Sequence, residues 1–544
     1  MAWQYTTVAL RIDVGNTTSF DTDKDVETFS SSGILLKQDR ESYVLSLSPV
    51  IPSSNTRKLR VLVASESTVS TDMVDWYKLT LLETAPLTRV NKALYPFTST
   101  GYSLIPQTLE GSDRNDIFVS VFRPPNELLA KIDKANPTTQ EWKTIVFPHE
   151  SEFSQANRIT PDLISIRSSP FALVNPALFV NYLSTGNISY VSSSGNNLTF
   201  LLSDSKYLDG MDGGPVFITD RNNSAAKTNR CIGLIAGSLK KKSKEGDLTV
   251  IVPWNQIVSH LTLTSNLPRS PSLIKAVVSS AAQDMFLPWL IFNGVMMIEI
   301  HYTNFRKGWG SGILLDETTI VTNMHLLGDD YRTATAWISD DESIPLENLG
   351  NPLEGLDMVF FRLTKPISSR RKANPVTLYS GEYKVGQRVR SLGYGLIYPH
   401  RTGNQPFQPL TAHGIISKCV SMDLYRQLDQ STMSVVVGEE ADERPVLLVS
   451  TAGCWNGSSG GALFDLETGH VVSMMTSNGR VNDTGEVIPQ LAFSLPSNVL
   501  QYALTLVRKG IRKKVSNRVT QLWKLDETHV SSLVETSPSL QAKL

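Results

Sequence analysis

The sequence predicts an all-β chain built as two similar units in tandem and closed by one helix. Three observations lead there. Short alternating apolar runs, cut by Gly, Asn and Pro turns, dominate the 544 residues. The N-terminal half echoes the C-terminal half in six segments that keep the same order. Residues 497–508 instead space their apolar side chains helically, with Arg508 and Lys509 at the end and Gly510 as the stop.

In chain order, the first unit is expected over residues 1–265. Its strand Ser31-Ser32-Gly33-Ile34-Leu35-Leu36 matches Gly310-Ser311-Gly312-Ile313-Leu314-Leu315. Asn115-Asp116-Ile117-Phe118 matches the strand opened by Leu356-Asp357, and Gly186-Asn187-Ile188-Ser189 matches Gly414-Ile415-Ile416-Ser417. Gly210-Met211-Asp212-Gly213-Gly214 matches Gly457-Ser458-Ser459-Gly460-Gly461. Residues 231–234 match 470–474, and Val252-Pro253 matches Leu495-Pro496. Residues 266–283 read as a linker, because Pro268, Pro271 and several serines interrupt the apolar periodicity. The second unit is expected over 284–512, followed by a tail over 513–544. Its opening apolar stretch, 285–300, is too short to span a bilayer and is broken by Pro288, Asn293 and Gly294, so it reads as a strand.

Composition bounds the function. With 41% hydrophobic and 19% charged residues, the chain is that of an ordinary globular protein, long enough for two or more domains. A net charge of -1 gives no support for a nucleic acid or an anionic membrane surface as partner. Lys240-Lys241-Lys242-Ser243-Lys244 reads as a solvated loop. Cys231, Cys419 and Cys454 are too few and too scattered for a disulfide framework, which points to a reducing compartment. No Cys/His cluster has zinc spacing, so neither a metal nor a cofactor is expected. The start, Met1-Ala2-Trp3-Gln4-Tyr5, lacks the basic and apolar regions of a secretory signal.

The chemistry concentrates in the second unit. Glycines around Ser459 permit a sharp turn that frees its hydroxyl. The same turn points the N–H groups of Gly457 and Ser459 into one small space, an oxyanion hole. A nucleophilic serine needs a base, and the base needs an orienting carboxylate. Thr319-Ile320-Val321-Thr322-Asn323-Met324-His325 ends a strand on His325, and Asp357 leads the apolar strand that follows. In the first unit the differences fall on the reacting atoms. Ser48, followed by Pro49, stands in the place of His325, and Asp212 in that of Ser459. Asp116 alone keeps its counterpart's identity, so that unit is expected to retain the fold and lack the chemistry.

The order His325, Asp357, Ser459, each in its strand context, resembles the chymotrypsin-like serine proteases. Gly393-Tyr394-Gly395-Leu396 and the stretch from Thr476-Ser477-Asn478-Gly479 to Phe493-Ser494-Leu495-Pro496 narrow the resemblance to the peroxisomal processing proteases. This resemblance implies two antiparallel β-barrels per unit, with the cleft between the barrels of the second. It implies acyl-enzyme chemistry in which His325 takes the proton of Ser459 and Asp357 orients His325. It also implies peroxisomal matrix enzymes as substrates, which lose amino-terminal targeting presequences, while some bearing the carboxy-terminal signal are cut as well. Ala542-Lys543-Leu544 separately reads as a peroxisomal address for an import receptor. A homodimer is left open.

The same fold places the base of the specificity pocket near Gly453, six residues before Ser459, with walls from 450–454 and from Ser473, Met474, Met475 and Thr476. No acid lies at the base, which disfavours Arg or Lys, and the methionines suit a small or medium uncharged residue such as Cys. Ser458 replaces the Asp that relatives of trypsin carry there, so no salt bridge to a cleaved N-terminus is expected. Two other readings stay open. One is a Deg/HtrA-type quality-control protease, against which no segment is left for an appended PDZ module. The other is a peptide-binding pseudoprotease whose triad goes unused.

Overall fold

The computed structural model describes residues 3–521, apart from 16–25, 49–57, 70–73, 106–115, 135–141, 148–163, 195–196, 219–228, 242–245, 262–266, 268–293, 339–341, 368–373, 397, 399–408, 424–442 and 481–486. The chain divides into two compact units. The first comprises Met1–Trp289 with Leu396–Ala412 and Arg480–Val487, and the second comprises Leu290–Gly395, His413–Gly479 and Ile488–Leu544. Most of the expected linker 266–283, part of the basic run at Lys240 and the tail residues Ala542, Lys543 and Leu544 lie outside the described residues.

In the first unit, strand Gln4–Gly15 pairs with Glu27–Gln38 on one edge and Lys58–Ser65 on the other. Every second residue from Val8 to Val14 faces a core shared with Leu35, Val44, Val63 and Phe122. Leu128 and Ile132, four apart on helix Asn126–Lys134, close that core. The described strands of this unit form two groups, one around Gln4–Gly15 and one around Asn229–Lys240, which join in one 16-stranded sheet. The joint is the short strand Lys143–Val146. It runs antiparallel to Gln4–Gly15 and parallel to Asn229–Lys240, and so satisfies two strand edges at once.

The second unit holds two closed barrels. The first runs Val295–Tyr302, Lys307–Leu314, Thr319–Thr322, Val359–Leu363, Ser343–Gly350 and Tyr331–Trp337 around the ring. Met296, Ile298, Ile300, Ile320 and Phe361 fill it, and full burial of each stabilises by about 1.5–3 kcal/mol. The described part of the apolar stretch 285–300 is indeed strand, from Val295 onward. The second barrel runs Arg388–Gly393, Leu410–Asp423, Glu443–Ser450, Val487–Pro496, Val471–Arg480 and Ala462–Asp465. Helix Ser497–Lys509 follows, and its end is fixed by Gly510 at φ 66°, in the left-handed region.

Each unit builds one turn with the same bonds. In the second, the Ser311 N–H donates to Ser459 O at 2.8 Å, Ser311 Oγ to Gly457 O at 2.9 Å, and Thr322 Oγ1 to Ser311 O at 2.6 Å. In the first, the Ser32 N–H donates to Asp212 O at 2.7 Å, Ser32 Oγ to Gly210 O at 2.6 Å, and Ser46 Oγ to Ser32 O at 2.7 Å. Ser46 thus stands where Thr322 stands, and counting three residues on sets Pro49, outside the described residues, against His325. The sequence match had put Ser48 there. Likewise Ser46 faces Ser120 while Thr322 faces Val359, so Phe118 takes the register of Asp357 and Asp116 falls two residues short. The mismatch at Asp116 has a physical source, since a slip of two leaves every side chain on its own face and the apolar pattern unchanged.

Candidate active site

His325 follows strand Thr319–Thr322 on the short turn Met324–Leu326. Its Nδ1 lies 2.6 Å from Asp357 Oδ2, and its backbone N–H donates to Asp357 Oδ1 at 2.9 Å. A carboxylate can only accept there, so Nδ1 carries the hydrogen and Nε2 is left as the basic nitrogen. The imidazole is 47% exposed and the Asp357 side chain 32%, so the pair opens to solvent.

Ser459 sits on a turn closed by Ser458 N–H to Trp455 O and Gly461 N–H to Ser458 O, both at 2.8 Å. The turn requires glycine. Gly457 has φ 90°, and a Cβ there would lie 2.3 Å from Trp309 Nε1 and 2.6 Å from Tyr394 O. A Cβ on Gly460 would lie 2.0 Å from Ser311 O. Ser311 holds the carbonyls of Gly457 and Ser459 inward, and its Oγ accepts from the Tyr394 N–H at 2.8 Å. Among the described residues, the N–H groups of Gly457 and Ser459 have no hydrogen-bond partner. Two donors on one turn, unused and beside a serine hydroxyl, are what a developing oxyanion needs. Ser459 Oγ itself donates to Thr476 O at 3.2 Å, and no hydrogen bond joins it to His325.

The matching turn in the first unit is closed chemically. Asp212 is 1% exposed, and Tyr207 Oη donates to its Oδ1 at 3.1 Å. Burial pushes its carboxyl up to about 7, against the opposing pull of the Ser31 and Tyr207 hydroxyls. Burial and the neighbouring Asp212 raise Tyr207 in turn.

The expected pocket residues divide. Ser473 Oγ donates to Ser494 Oγ at 2.8 Å with both residues buried, so its hydroxyl serves the barrel interior and not a substrate. Met474 is fully buried in the strand that pairs with Ala462, a core position. Met475 instead packs with Cys454 and Ala492 in a small apolar cluster next to the turn. Gly453 contributes its carbonyl, which accepts from Ser391 Oγ at 2.8 Å. Asn478 Nδ2 donates to Cys454 O at 2.6 Å and ties strand Val471–Arg480 to this segment. Ala492, Asn478 and Ser311 were missed as site residues. They lie in segments that the repeat and the family resemblance mark, but only their neighbourhood to Ser459 in space gives them a part in the site. Ser458 is buried. Among the described residues, no group of three or more His, Cys, Asp or Glu side chains could hold a metal ion, and no helix is long and apolar enough to cross a membrane.

Residues 310–474 match the trypsin-like peptidase domain. This stretch holds His325, Asp357 and Ser459, so over it the chain is similar to trypsin-like serine peptidases in sequence as well as in its barrels. More particularly, it is similar to the peroxisomal leader peptide-processing protease of Mus musculus, with 26% identity over 355 residues covering 62% of this chain and 54% of that protein. The protein of the same name from Homo sapiens is 24% identical over 378 residues, covering 66% of this chain and 58% of its own. The chain therefore spans a little over half the length of these relatives. The serine endoprotease from Yersinia pestis is 18% identical over 41% of this chain and 65% of its own, with a TM-score of 0.29.

Proposed function

We propose that the chain is a peroxisomal serine endopeptidase that removes amino-terminal targeting presequences from imported matrix enzymes and cuts some that carry the carboxy-terminal signal. The observation that carries the chemistry is the two-point hold of His325 on Asp357, beside a serine turn with two free N–H groups. The reaction runs as acyl transfer. Rotation about χ1 takes the Ser459 hydroxyl from Thr476 O to His325 Nε2. Ser459 Oγ then bonds to the peptide carbonyl carbon as its proton passes to Nε2. The Gly457 and Ser459 N–H groups stabilise the oxyanion, the C–N bond breaks, and the proton moves to the leaving amine. Water, deprotonated by His325, releases the acyl group. No step needs a cofactor.

The small apolar cluster of Cys454, Met475 and Ala492 supports an uncharged residue before the cut. The similarity to leader peptide-processing proteases supports the substrate class and the peroxisomal setting. The test incubates wild type and Ser459→Ala with peroxisomal precursor proteins and maps the new N-termini. Cuts after uncharged residues, absent in Ser459→Ala, are expected. Cuts predominantly after Arg or Lys would overturn the pocket assignment, and identical products from both proteins would overturn the nucleophile. The bond from Ser459 Oγ to Thr476 O favours a second reading, a binder that holds peptides without cutting. A fluorophosphonate probe that fails to label Ser459 in the folded chain would favour that binder.

A further inference from the structure

We infer that Asn323 is a positioning residue for the peptidase reaction, fixing the Asp357 backbone through its side-chain amide and, through Asp357, the imidazole of His325. The inference rests on the proposed roles of Ser459, His325 and Asp357.

Asn323 is completely buried, and its Nδ2 donates to Asp357 O at 2.9 Å. Two residues on, the backbone N–H of His325 donates to Asp357 Oδ1, and its Nδ1–H donates to Oδ2. One three-residue segment therefore holds Asp357 by three different oxygens. The two carboxylate bonds set the imidazole plane, but they can do so only if the Asp357 backbone stays in place. Among the described residues, the amide of Asn323 is the group bonded to that backbone carbonyl.

The cost of keeping this residue is visible. Asn323 Oδ1 is buried and meets no donor among the described residues. An orphaned buried acceptor is destabilising, a cost that an apolar side chain in its place does not carry. The first unit shows the apolar solution. Leu47 follows Ser46 as Asn323 follows Thr322, and Leu47 is fully buried as well. At the position that matches His325, that unit carries Pro49 in the sequence. The position accepts leucine where no base is needed and carries asparagine where one is.

The test compares full-length wild type and Asn323→Leu by rate of fluorophosphonate labelling at Ser459 and by thermal unfolding. The limiting rate per folded molecule should fall roughly 10- to 100-fold, as expected when a catalytic group is displaced by about an ångström. The probe concentration at half saturation should hold within about twofold, because binding is untouched. The melting temperature should change little, since the variant removes one unpaired acceptor, Asn323 Oδ1, and leaves another, Asp357 O. A structural role would lower the melting temperature and leave the limiting rate alone. If Asn323→Leu does not fold, Asn323→Ala, which adds no volume, is measured in the same way. A folded variant with the wild-type limiting rate overturns the inference. A wild type that does not label overturns the peptidase reading itself, which is a separate failure.

Discussion

The turn at Asp212 and the turn at Ser459 share their scaffold and differ in everything that reacts. Both are pinned through a buried serine on the facing strand, Ser32 or Ser311, which bonds the two flanking carbonyls. Both carry glycine at positive φ, 87° at Gly210 and 90° at Gly457. Around Ser459, His325 and Asp357 are part open to solvent, and two N–H groups meet no partner among the described residues. Around Asp212 a carboxyl fills the buried centre and is tied to Tyr207. The lesson is that the glycines and the serine buttress make the turn, while the chemistry needs separate residues. A copy can lose the second set and keep the first.

Substitutions that move features between the copies should break that comparison in a graded way. Ser459→Asp, which installs the residue of the first unit, should abolish labelling and hydrolysis, a loss of roughly a million-fold in turnover. Asp212→Ser placed in a Ser459→Ala background should gain nothing, since a hydroxyl without a base is a poor nucleophile. Labelling at residue 212 would break the account. Asp357→Asn should slow the labelling rate by about four orders of magnitude while leaving the fold intact, because the imidazole loses its tautomer.

Glycine gives the next step down. Gly457→Ala should reduce the limiting labelling rate by about 100-fold or more, since its Cβ meets the Trp309 ring and the Tyr394 carbonyl and must displace the oxyanion N–H. Gly210→Ala should leave the rate unchanged, since its turn carries no chemistry, and should register only as lost stability. Equal effects of the two on rate would contradict the division of labour between the units.

The smallest effect on catalysis and the clearest on stability belongs to Asp212. Its carboxyl titrates at 3.8 when unfolded and at about 7 when folded, so the folded chain holds the extra proton between those values. The stability contributed by the neutral carboxyl is complete below pH 3.8 and is lost as the pH rises through about 7. Over that window the loss is on the order of 4 kcal/mol. Asp212→Asn should remove this loss, so urea unfolding of the variant and wild type should diverge between about pH 4 and pH 7 and run parallel above it. Curves that stay parallel throughout would mean that the carboxyl is not confined as described.

Much of this was legible in the sequence, for reasons tied to particular residues. Gly457-Ser458-Ser459-Gly460-Gly461 announces a turn because glycine alone adopts its dihedrals. Val295–Tyr302 and Thr319–Thr322 announce strands through alternation and β-branching. The register of the first unit was read two residues wrong at Asp116 because a period-two pattern cannot detect an even slip. Ser473 is a pocket wall only by analogy with the fold, and its hydroxyl bonds Ser494 inside the barrel. Asn323 gave no signal at all, since its role is a bond to a residue 34 positions away. The bridging strand Lys143–Val146 was equally silent, because strand pairing across the sequence leaves no local mark.

The most direct measurement treats the intact chain with a fluorophosphonate probe and maps the modified residue by peptide mass spectrometry, with Ser459→Ala alongside. Label confined to Ser459 in the wild type and absent from the variant is the predicted result. Label on any residue of the first unit, or none on Ser459 in the folded chain, would contradict the claim that one copy of the turn is chemical and the other is scaffold.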